Sequence, residues 1–165
     1  MSQRNNIKGK HPLQGPRGEF YHGQTDNDIY YKGSWMLHTM RSVLDNDSLW
    51  FATIRNLSLH FRHRIVTTED ILTYFNTATG RNWDVFFKQY IYHGALPTLE
   101  YKLETAKDSS VLLNYRWTNT VKGFTMPIKV YISEDKMRTT SVSPGGKFKS
   151  LNLTSESKFL PIKEL

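Results

Sequence analysis

The hydrophobic period changes once along this chain, at "GALP" (residues 94–97), and that change constrains the fold more than any other feature. Before it, apolar residues recur at helical spacing. Gly33, Met36, Leu37, Met40, Val43 and Leu44 repeat at intervals of three and four, the pattern of one buried helix face. "DNDSLW" restarts the chain, with Asp47 as a candidate N-cap and Trp50, Ile54, Leu57 and Phe61 as the stripe of a second helix. In "TTEDILTYFNTATG", Thr67 and Asp70 have capping-box spacing, Ile71, Phe75 and Ala78 face inward, and Gly80 supplies a stop. Asn82 can cap a fourth helix carrying Trp83, Phe86, Phe87, Tyr90 and Ile91, closed by Gly94. Four short helices with brief links predict an antiparallel helical array.

After Pro97 the period is two. "TLEYKLET" places Leu99, Tyr101 and Leu103 on one side and Glu100, Lys102 and Glu104 on the other. "SVLLNYRWTN" and "MPIKVYIS" alternate likewise, and "SPGG" is a turn signal. The expected class is therefore α+β: an irregular arm over 1–28, a helical unit over 29–95, and a small antiparallel β-sandwich-like module over 96–165. An apolar fraction of 38% in 165 residues is enough for a folded core.

The net charge of +7 raises the question of a nucleic-acid partner. The excess divides as +3 over residues 1–25, zero over 26–95 and +4 over 96–165. No Arg-rich stripe concentrates it, whereas a phosphate-binding surface clusters its cations. The charge reads as solvated surface, and a nucleic-acid partner is not expected. No run of about 18 apolar residues exists, so no membrane span is expected. The N-terminal "MSQRNNIKGKHPLQG" shows no apolar core of a signal peptide, and there is no cysteine. These features leave the compartment open.

A chemical centre is hard to find in the chain by itself. His60 and His63 in "HFRHR" lie three apart and share a helix face, but a catalytic zinc wants three protein ligands, and no third is marked nearby. Beside Arg62 and Arg64 they read better as exposed helix-end residues. Asp26, Asp28, Asp45 and Asp47 lack the spacing of a calcium loop and read as turn and cap residues. The glycines form neither a P-loop nor a dinucleotide motif, and no G-x-S-x-G elbow occurs. Trp117 and Phe148 could stack on bases, yet core packing explains most strand aromatics.

An ordered set of short motifs is more informative. Tyr30-Tyr31-Lys32-Gly33 precedes the first helix; Thr67-Thr68-Glu69-Asp70-Ile71 and Ala78-Thr79-Gly80 follow; Phe86-Phe87-Lys88-Gln89-Tyr90 and Gly94-Ala95-Leu96-Pro97 close the series. In order and spacing, residues 29–101 resemble the second part of the catalytic domain of the aminopeptidase N family of zinc metallopeptidases, the gluzincins. Tyr90 stands where the family usually has Trp. "GFTMPIKVYI" more weakly resembles the immunoglobulin-like module that follows in that family. The resemblance implies a thermolysin-like helical portion and a peptide hydrolase in which zinc is held by an H-E-x-x-H helix and a later glutamate. It also implies that a tyrosine of the Y-x-K-G motif donates to the oxyanion of the tetrahedral intermediate. By register that tyrosine is Tyr30, with Lys32 and Gly33 as supporting motif residues and Tyr31 at the variable position.

The departure is as informative. No H-E-x-x-H occurs, Glu19 is the only glutamate before Glu69, and no histidine pair has i, i+4 spacing. The G-x-M-E-N amine-binding motif is missing too. The resemblance then implies the C-terminal portion of such an enzyme, with its zinc and general base in an upstream half of the same protein, reached by peptide substrate through the joint active site. This chain alone is expected to bind no zinc and to be inactive. A non-catalytic binding or scaffold protein of the same descent is the alternative, and a basic nucleic-acid-binding module a more distant one.

Overall fold

The computed structural model describes residues 6–15, 27–105, 111–131, 139–153 and 160–161. The chain divides after Gly94 into a helical unit and a β unit.

The helical unit contains α1 (Asp28–Leu44), α2 (Asp47–His60), α3 (Thr68–Thr79) and α4 (Asp84–Ile91). Its ends follow local chemistry. Thr67 and Asp70 close a reciprocal capping box at α3, and Gly80 ends that helix in the left-handed region at φ 64°. At α2 the cap is Asn46, whose side chain accepts from the Leu49 amide at 2.9 Å. Asp47, expected in that place, instead pairs with Arg41 at 2.7 Å in the first turn. At α4 the Asn82 side chain accepts from the Asp84 amide at 2.8 Å, one residue before the Trp83 cap position. Trp50, Phe75, Trp83, Phe86, Phe87 and Tyr90 are all buried.

The first helix differs from its apolar pattern. Its buried residues are Asp28, Lys32, Thr39 and Met40, while Leu37 is exposed and Gly33 and Met36 are half-buried. The apolar count misplaced the inward face because two charged side chains occupy it, each satisfied by backbone groups. Of the expected α3 face only Phe75 is buried, joined by Leu72.

The β unit holds β1 (Thr98–Thr105), β2 (Val111–Thr118), β3 (Ile128–Tyr131), β4 (Thr139–Val142), β5 (Lys149–Leu153) and β6 (Leu160–Pro161). They form two antiparallel three-stranded sheets, ordered β1-β2-β5 and β4-β3-β6. Strand β2 carries the alternation the sequence predicts, with Leu113, Tyr115 and Trp117 buried. The Trp117 indole donates to the Met126 carbonyl at 3.0 Å, and its amide to Gly145 O at 2.8 Å. Register sets Leu99, Tyr101 and Leu103 of β1 opposite Trp117, Tyr115 and Leu113. On that side of β1, Tyr101 and Leu103 are nonetheless exposed.

Candidate functional site

The start of α1 is held by two buried charged side chains. Asp28 occupies the first position of the helix and is buried; its carboxylate accepts from the Lys8 amide at 2.6 Å and the Lys10 amide at 3.3 Å. Lys32, one turn on, is 0% exposed. Its ammonium donates to three carbonyl oxygens: His11 at 3.3 Å, Gly94 at 2.8 Å, and His93. Residues 8–11 of the N-terminal arm and the backbone just past α4 are thus gathered around one charged i, i+4 pair.

Two further contacts tie the same segments. The Gln14 amide donates to Ile91 O at 3.0 Å. A Cβ at Gly94 would sit 2.7 Å from Lys10 O and 3.0 Å from Lys10 C, both rigid backbone atoms. Only glycine permits that approach. Gly33 is under no such constraint, since a Cβ there would meet Leu13 Cδ2 at 3.9 Å, an ordinary contact.

Burial lowers the Lys32 ammonium from 10.5 to about 8, and the Asp28 charge works against that shift. The three carbonyls also favour the charged form, since a neutral amine has only two hydrogens to give.

Tyr30 lies on the other side of the helix, roughly 160° round the axis from both charged residues, and its side chain is 70% exposed. Its carbonyl accepts from Ser34 Oγ at 2.8 Å. Tyr31 is half-buried. The four motif residues therefore divide: Lys32 faces inward to an anchored backbone, and Tyr30 outward to solvent.

The other candidates do not gather into a centre. The His60 ring packs edge-on to Phe61, at 4.6 Å between centroids, and against Tyr74 at 5.4 Å. His63 has a left-handed backbone, φ 57°, and its Nε2 accepts from Arg62 Nε at 3.0 Å. Among the described residues no group of three or more His, Cys, Asp or Glu is arranged to hold a metal. The sequence contains no H-E-x-x-H. Asp26 lies outside the described residues. Trp117 is buried in the β core, and the half-exposed Phe148 ring lies beneath the Arg116 guanidinium at 4.4 Å.

An open groove of about 350 Å³ between α3 and α4 is lined by Glu69, Asn76, Asp84, Lys88 and Tyr92 with Leu72 and Thr73. Several of its polar groups already bond one another: Tyr92 Oη donates to Glu69 at 3.2 Å, and Asn76 Nδ2 to Asp84 at 2.7 Å. Among the described residues no helix is long and apolar enough to cross a membrane.

Sequence reasoning missed the buried role of Asp28 and treated Lys32 only as motif support. The signal was present in "DIYYK", an acid four residues before a base at a helix start.

No sequence family matches the chain, and no curated protein does. Among solved structures it is similar to an aminopeptidase A from Legionella pneumophila, determined in complex with aspartic acid, with a TM-score of 0.65 at 12% identity. The match covers 82% of this chain and 16% of that one. The likeness is one of fold: the helix-then-strand arrangement is aminopeptidase-like. The chain spans about one sixth of that protein's length.

Proposed function

We propose that this chain is the C-terminal portion of the catalytic domain of a zinc-dependent aminopeptidase together with the β module that follows it. In this reading it supplies the transition-state-stabilising tyrosine and not the metal ligands. One observation carries the proposal: the exposed tyrosine of a Y-x-K-G motif stands on an anchored helix start, in a fold similar to a segment of an aminopeptidase. The ordered motifs from Tyr30 to Pro97 support the same placement.

The chemistry follows from where charge develops. As water adds to the scissile carbonyl, negative charge collects on its oxygen, and a fixed donor aimed there lowers the barrier more than it strengthens substrate binding. The Tyr30 hydroxyl is that donor. Its helix start is held by Lys32 and Asp28, so little reorientation accompanies the reaction. Zinc, the activating glutamate and the groups that bind the substrate's free amine belong to the upstream half, and no residue of this chain takes their part.

The coding frame upstream of Met1 tests the reading. An open frame carrying H-E-x-x-H is the expected result. A stop codon followed by a genuine start at Met1 would instead favour a non-catalytic protein of the same descent.

A further inference from the structure

Among the described residues of the helical unit, Lys32 and Asp28 are the buried charged side chains, and the chemistry above uses neither directly. We propose that they are positioning residues for Tyr30: together they clamp the first two turns of α1 between the arm at residues 8–11 and the backbone at 93–94.

Four observations converge. The Asp28 carboxylate accepts two arm amides, from Lys8 and Lys10. Lys32 joins that arm, at His11 O, to the end of α4, at His93 O and Gly94 O. The arm lies so close over Gly94 that a methyl group there would strike Lys10 O. All of these bonds fall on the side of α1 that faces inward, and Tyr30 projects from the opposite side of the same turn. A helix start is ordinarily its most frayed part, with four unpaired amides and few contacts. Here it is fixed from behind, leaving a phenol in solvent on a rigid base.

The arrangement also accounts for the residue types. Three carbonyls converging on one point ask for three donors from a compact group, which an ammonium provides and a planar guanidinium does not. Two arm amides, at Lys8 and Lys10, ask for a two-oxygen acceptor, which Asp28 provides. The inference about Tyr30 rests on the aminopeptidase reading; the clamp itself rests on geometry alone.

The test has two arms. In this chain, amide exchange at Lys8 and Lys10 and the 19F spectrum of 3-fluorotyrosine at position 30 are measured for wild type, Lys32→Met, Asp28→Asn and Gly94→Ala. We expect each variant to speed exchange of the arm amides at least about tenfold and to replace one Tyr30 resonance by a broadened or multiple one, with α3 amides unaffected. Gly94→Ala keeps both charges, so the test survives if Lys32→Met does not fold. Unchanged arm exchange and an unchanged Tyr30 resonance in the folded variants would overturn the clamp. In the intact enzyme, Lys32→Met and Gly94→Ala should lower kcat roughly tenfold to a hundredfold, the scale set by a small misplacement, with KM little altered. If Tyr30→Phe lowers kcat and the clamp variants do not, positioning is refuted while the aminopeptidase reading stands. If Tyr30→Phe is itself silent, the reading falls and the positioning role with it.

Discussion

The helical and β units solve burial differently. In the helical unit aromatic rings meet one another throughout: Phe75 with Phe87 at 5.9 Å, Trp83 with Phe86 at 5.4 Å, Phe86 with Tyr90 at 4.5 Å. That core coexists with an enclosed Asp–Lys pair whose hydrogen bonds run to backbone. In the β unit burial of the first sheet centres on β2, and the Leu and Tyr side of its edge neighbour is half open, Leu103 at 48% and Tyr101 at 43%. Glu100, Lys102 and Glu104 line the other side of that edge, a placement that discourages strand addition. The lesson is that periodicity reports which residues are apolar, whereas burial also depends on whether a second element covers them.

The largest effect should come from the aromatic core. Phe87→Ala, at a side chain 1% exposed, should cost about 3–5 kcal/mol and melt the helical unit first; denaturant unfolding followed by near-ultraviolet dichroism reads it. A loss below about 1 kcal/mol would mean the rings are looser than their contacts indicate.

The sharpest contrast within the β unit is one register pair, Leu103 opposite Leu113. Leu113→Ala should cost about 2–5 kcal/mol and Leu103→Ala under about 1 kcal/mol. Equal losses in chemical denaturation would show that the open side of β1 is covered in solution.

Next is Lys32. Its folded-state pKa of about 8 lies below the unfolded value of 10.5. Between these values the unfolded chain holds a proton that the folded chain has shed, so stability rises with pH from about 8 to 10.5. At about 1.36 kcal/mol per pKa unit the upper bound is about 3 kcal/mol, reduced by whatever the carbonyls return to the charged form. Burial raises Tyr74 and Tyr92, which act in the opposite sense at the alkaline end of the window. Comparing wild type with Lys32→Met isolates the lysine: the variant should lack the rise.

The smallest effect is at the α3 cap. Thr67→Ala removes the hydroxyl that accepts from the Asp70 amide at 3.3 Å and should cost about 1 kcal/mol. Thermal unfolding of the single variant suffices.

Much of the fold was legible because its signals are local. The Thr67–Asp70 box, the Gly80 stop and the alternation of β2 each depend on a few neighbouring residues. The α1 face was not legible by counting apolar residues, because Asp28 and Lys32 are buried by partners about 20 and 60 residues away, at Lys8, His93 and Gly94. Gly94 read as a helix stop, yet α4 ends at Ile91 and the glycine instead makes room for Lys10 O. Of the candidate site, Tyr30, Lys32 and Gly33 could be singled out by motif alone. That Lys32 points inward while Tyr30 points outward is set by partners at His11 and Gly94, which no local motif encodes.

The proposal that Tyr30 acts on the transition state of peptide hydrolysis is tested most directly by steady-state kinetics of Tyr30→Phe in the full-length protein to which this chain is proposed to belong. The substitution keeps the ring and removes the hydroxyl. Turnover should fall by about 10²–10³-fold, the usual cost of one lost oxyanion donor, with KM and stability little changed, and Tyr31→Phe should be nearly silent. Loss of activity in Tyr31→Phe with none in Tyr30→Phe would place the register one residue off. Full activity in both would contradict the account and leave Tyr30 an exposed residue on a well-anchored helix.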